Sequence, residues 1–151
     1  MKQKVMFRAA GVLWAMWGLL HLLAGLSVVK TFASEVAGVP ESVMLRVMGD
    51  EIPFHVRRTL AEHSFNNTWF GLVVLVGSVL VWKGSRQGVL LCTVVGGLAH
   101  LGFAIFLVVP GFSNAVGVAR TVIAAAAVAL SLGAQAGLER CVRESTRGSD
   151  R

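Results

Sequence analysis

Residues 7–29 read FRAAGVLWAMWGLLHLLAGLSVV, and this stretch decides the architecture. A helix needs about 20 mostly apolar residues to cross a bilayer, and the run supplies them. Gly11, Trp14, Gly18, His21 and Gly25 recur at spacings of three and four, so they form one stripe along that helix. Small residues on such a stripe let a neighbouring backbone approach closely. His21 shares the stripe and is therefore expected to point at another helix, with Trp17, one turn away, packed over its ring.

Three further apolar runs follow, at 68–82, 88–109 and 115–138. The second is short, and helical residues from about His63 lengthen it. The chain is 55% hydrophobic and 15% charged, too apolar for an ordinary soluble domain. The expectation is an all-α fold: a four-helix transmembrane bundle in one integral membrane domain, with spans near 7–29, 63–82, 88–109 and 115–138. The first run begins basic, as a signal peptide would. Its apolar stretch is too long for one and lacks a small-x-small cleavage site, so it reads as an uncleaved helix.

The loop at 30–62 is expected to be partly helical. Ser34 and Glu35 open a short turn, and residues 40–48 form an amphipathic piece with Pro40 near its start. A second piece begins at Ile52-Pro53-Phe54 and runs into the second span. The charged tail at 139–151 is expected to fray.

The net charge of +6 would suit nucleic acid, but the cations sort by membrane side instead. With the N-terminus inside, the inner segments hold Lys2, Lys4, Arg8, Lys83, Arg86, Arg140, Arg143, Arg147 and Arg151. The outer segments hold Lys30, Arg46, Arg57 and Arg58. This asymmetry leads to the expectation that both termini are cytoplasmic. Cys92 and Cys141 then fall on the reducing side as free thiols, and they form no CxxC pair.

Apart from Arg8 at the very start of the first run and the thiol Cys92, the ionisable residues inside the runs are His21, His100 and Arg120. Placing such a group in hydrocarbon costs several kcal/mol, so it faces a bundle interior or a cavity. At about 1.5 Å per residue, His21 lies roughly 12–13 Å from the outer end of its span, His100 roughly 14 Å and Arg120 roughly 8–9 Å. His63, Asn66 and Asn67 stand at the outer mouth. Asn66-Asn67 reads either as a turn or as part of a helix whose face, His63, Asn67 and Gly71, looks inward. The resulting expectation is an outward-facing polar pocket lined by His21 and His100, with His63, Asn67 and Arg120 above them.

Several chemistries suit these residues. The first is a non-catalytic binding or accessory subunit, whose pocket takes a small apolar or anionic ligand or meets other membrane subunits. The second is a bis-histidine haem b protein, with His21 and His100 as axial ligands, glycines making room for the macrocycle and Arg120 on a propionate. The third is a membrane enzyme acting on a lipid or other apolar substrate, with histidine as acid or base and Arg120 on an anionic headgroup. No nucleophile is evident for it. A metal site built on His21, His63 and His100 has no spacing signature. No run carries Asp or Glu, which disfavours a proton-coupled exporter.

The first-span Leu20-His21-Leu22-Leu23-Ala24-Gly25, the second-span Asn66-Asn67 with Trp69-Phe70-Gly71, and the third-span Ala99-His100-Leu101-Gly102-Phe103 resemble small four-helix inner-membrane proteins of bacteria grouped in families of unknown function. The resemblance spans most of the chain and implies the same fold. It brings no activity with it.

Overall fold

The structure is a computed structural model and describes residues 2–36 and 54–149. Helix α1 spans Lys2–Val36 and α2 spans Phe54–Trp82. Helix α3 spans Arg86–Val108, and α4 spans Ala115–Ser149. There is no strand among the described residues. All four helices are long and apolar enough to cross a membrane. The shortest, α3, rises about 35 Å, against a hydrocarbon core of about 30 Å. This is a multi-pass membrane protein with an all-α, four-helix architecture.

The helices form an antiparallel ring. α1 lies along α2 on one side and α4 on the other, and α3 closes the ring between α2 and α4. Each turn that the structure describes rests on a glycine in the left-handed region: Gly84 at φ 78° and Gly111 at φ 81°. Asn114 then starts α4 by accepting the Gly117 N–H on its side-chain oxygen, at 3.0 Å.

Burial is sorted as a bilayer demands. The interior holds small and polar residues, Ala10, Ala124, Ala127, Ala134, Ser78 and Ser131, around Trp14 and Trp17. The outside carries the large aliphatic and aromatic side chains, with Leu90 65% exposed and Phe106 73% exposed. In water such a surface would aggregate; against acyl chains it is at rest.

The α1–α2 seam is a zipper with a seven-residue repeat. Gly11, Gly18 and Gly25 of α1 meet Ser78, Gly71 and Ser64 of α2 in antiparallel order. A Cβ at Gly11 would lie 3.1 Å from the Ser78 carbonyl oxygen, and one at Gly18 would lie 2.9 Å from that of Gly71. Only glycine permits this backbone approach. The stripe read from α1 is therefore divided: its glycines face α2, while Trp14, Trp17 and His21 serve the interior.

Helix α3 carries two π-turns, Thr93–Gly97 and Ala104–Val108, on either side of His100. The second closes with the Val109 N–H on the Ala104 carbonyl, five residues back, at 2.9 Å. Residues spaced four apart drift about 40° per step around an α-helix. A wider π-turn absorbs that drift. Cys92, Gly96 and His100 thus all stay buried on one face.

Some local expectations differ from what forms. α1 does not turn at Ser34–Glu35 but continues to Val36. α2 begins at Phe54, directly after Pro53, and runs unbroken through Asn66-Asn67 into the span, so the turn reading of that pair is wrong. α4 continues to Ser149 instead of fraying after Leu138, because Glu139, Arg140, Arg143, Glu144 and Arg147 in its tail are all good helix formers. The amphipathic piece expected at 40–48 lies outside the described residues.

Candidate functional site in the four-helix cavity

The five polar residues singled out from the sequence meet around one cavity of about 400 Å³. α1 contributes His21, α2 contributes His63 and Asn67, α3 contributes His100, and α4 contributes Arg120. Phe70, Phe103, Phe106 and Leu107 supply apolar wall. The cavity lies toward the α3–α4 turn. Asn66 is not part of it: its side-chain oxygen accepts the indole N–H of the exposed Trp69 at 3.1 Å. Gly71, the third member of the expected inward face, packs on the α1 backbone instead.

Trp17 organises the floor. Its ring stacks on His21 with centroids 3.7 Å apart and planes 18° from parallel. Its indole N–H donates to His100 Nδ1 at 3.0 Å. An indole only donates, so Nδ1 accepts and the His100 proton sits on Nε2. That Nε2–H donates to Thr121 Oγ1 at 3.0 Å, and the Thr121 hydroxyl donates to the Gly117 carbonyl at 3.0 Å. The chain Trp17–His100–Thr121–Gly117 ties α1, α3 and α4 together. Phe103 covers the His100 ring with centroids 5.2 Å apart.

His21 is held differently. Its Nδ1–H donates to the Trp17 carbonyl, four residues back, at 2.9 Å. A carbonyl only accepts, so the proton is on Nδ1 and the lone pair is on Nε2. No described residue bonds that Nε2. The two histidine rings stand edge to face, 5.7 Å between centroids. A second tryptophan, Trp14, donates its N–H to Ser131 at 3.0 Å and fits its ring against Gly96.

Arg120 has the least settled place. Its Nε is buried without a hydrogen-bond partner, and the residue lines the cavity. Among the described residues, no Asp or Glu lines the cavity with it.

No family model, curated protein or solved structure matches the chain.

The geometry bears directly on cofactors. A bis-histidine haem needs a lone pair on each axial imidazole. His100 spends its only lone pair on Trp17, at Nδ1, and its Nε2 carries the proton given to Thr121. These residues do not fit haem in this arrangement. Among the described residues, no group of three or more His, Cys, Asp or Glu is placed to hold a metal ion.

Sequence reasoning missed Thr121, the hydrogen-bond partner of His100, and the donor role of Trp17. Thr121 had a signal: it is a hydroxyl next to Arg120 in an otherwise apolar run. Trp17 had none, since an indole in an apolar helix reads as packing.

Proposed function

We propose that this protein is a non-catalytic membrane binding or accessory subunit whose cavity takes a small amphiphilic anion. A carboxylate or phosphate head would sit at Arg120, and an apolar body would lie along Phe70, Phe103 and Phe106. The observation that carries this reading is the buried, unpartnered Nε of Arg120 in a cavity that no carboxylate among the described residues lines. An uncompensated cation in a low-dielectric site is costly, and an anion relieves it. His63 and the Asn67 amide add further polar groups to the cavity wall. The volume lies within the usual range for small-molecule sites, about 300–1,000 Å³. Among the described residues, no Ser, Thr or Cys lines the cavity, which favours binding over a lipid-directed enzyme with a covalent intermediate.

The test is mass spectrometry of small molecules retained by the protein purified in mild detergent. Arg120→Lys should fold normally yet lose at least tenfold of its anionic ligand, because lysine lacks the planar fork. Arg120→Gln should lose more. If both variants retain the same compounds as the parent protein, the reading fails. A Soret band abolished by both His21→Ala and His100→Ala would overturn it in favour of haem.

We further propose the inner membrane of a bacterium as its location, on the resemblance to small four-helix proteins of that membrane, and both termini in the cytoplasm, on the distribution of cations. In intact cells a membrane-impermeant maleimide should label Ser42→Cys and spare Ser149→Cys. The opposite pattern would reverse the orientation.

A further inference from the structure

A second cleft, of about 580 Å³, opens at the other end of the bundle, beside the α2–α3 turn. Lys4 and Arg8 line it from α1, and Trp82 and Lys83 line it from the end of α2. The three cations are exposed, and Phe7, 5% exposed, forms an apolar floor. Arg8 lies over the Trp82 ring, its guanidinium carbon 5.6 Å from the centroid. That position fixes a cation at the level where an aromatic side chain ends the span. Lys83 directly follows the last residue of α2, which packs along α1, and Gly84, at φ 78°, then turns the chain away into α3. Among the described residues no carboxylate lines the cleft, and Glu139 accepts a hydrogen bond from Gln135 at 3.3 Å.

We propose that this cleft binds the phosphate of an anionic phospholipid from the adjoining leaflet. Three cations from two helices converge where lipid phosphates lie, and the exposed Trp82 ring and Phe7 offer apolar surface to the glycerol and upper acyl region. The cations would hold the phosphate and the aromatic wall would hold the lipid in register. This commits to a lipid rather than to a soluble phosphate, because the cleft joins the apolar outer surface of the bundle. The site is separate from the Arg120 cavity and does not depend on its ligand.

Each basic residue near an anionic leaflet contributes about fivefold in affinity, so three contribute on the order of 100-fold. The full chain would be titrated with phosphatidylglycerol and with phosphatidylcholine of the same acyl chains, and bound lipid counted by native mass spectrometry. Phosphatidylglycerol should be preferred. The combined variant Lys4→Gln, Arg8→Gln, Lys83→Gln should reduce its binding to the level of phosphatidylcholine. Removing three charges elsewhere at the same end, with Arg140→Gln, Arg143→Gln and Arg147→Gln, should leave the preference intact. Equal loss in both variants would mean bulk charge alone and overturn the site, as would an intact preference in the cleft variant. Glycerol 3-phosphate competing at the lipid's own concentration would overturn the lipid assignment. Should the cleft variant fail to fold, a photoreactive phosphatidylglycerol on the unaltered protein decides the matter. Crosslinks at residues 3–8 and 82–84 support the proposal, and crosslinks spread evenly over the bundle refute it.

Discussion

Alanine at Gly71 should weaken the bundle, while alanine at Gly102 should not. A Cβ at Gly71 would lie 2.5 Å from the Leu22 backbone nitrogen and 2.6 Å from the Gly18 carbonyl oxygen. Ordinary van der Waals contact for such an atom begins near 3.4 Å. Both obstacles are backbone, so no rotamer change relieves them, and α1 must move away from α2 by most of an ångström. Overpacking of this kind costs about 1–3 kcal/mol. The helix preference for alanine over glycine returns up to about 1 kcal/mol. With a backbone-on-backbone clash at the upper end of the range, the net loss is about 1–2 kcal/mol. At Gly102 nothing lies within 4 Å, so only the preference term acts. That variant should be as stable as the parent or gain up to about 1 kcal/mol. Reversible unfolding in mixed micelles with increasing sodium dodecyl sulfate, followed by circular dichroism, measures both. If Gly71→Ala proves as stable as Gly102→Ala, the glycine zipper is not what sets the α1–α2 distance.

Trp17→Phe removes the donor to His100 Nδ1, and interhelical hydrogen bonds in membranes are worth about 0.6–1.7 kcal/mol. A double-mutant cycle with His100→Leu should return a coupling in that range, and a coupling near zero would deny the bond its role. Gly96→Val should displace the Trp14 ring, since a Cβ there would meet it at 2.6 Å, and should break the Trp14–Ser131 hydrogen bond. A red-shifted tryptophan emission is expected, and an unchanged spectrum would contradict the packing. Cys141 is exposed and Cys92 buried, so a maleimide should modify Cys141 in the folded protein and Cys92 only after unfolding.

The sequence by itself determined the membrane-spanning helices and the five residues that share a cavity. Both follow from local physics. An apolar run of sufficient length is a property of one segment, and an ionisable group inside it must find an interior wherever that interior is. Positions along each helix then brought His21, His63, Asn67, His100 and Arg120 to one half of the bundle. What only the tertiary structure decided was which neighbour each face serves. The α1 stripe looked single, yet α1 lies between α2 and α4, so its glycines serve one partner and its aromatic and histidine residues the interior. Asn66 and Asn67 are adjacent in sequence and about 100° apart on the helix, so one bonds Trp69 outside and the other lines the cavity. The π-turns of α3 arise from packing around Trp14 and His100, and no residue type announces them. The roles of the two histidines also depend on partners remote in sequence. His100 is satisfied at both nitrogens by Trp17 and Thr121, whereas His21 bonds its own helix and keeps a lone pair. Periodicity tells which residues share a face; only the packed bundle tells what that face touches.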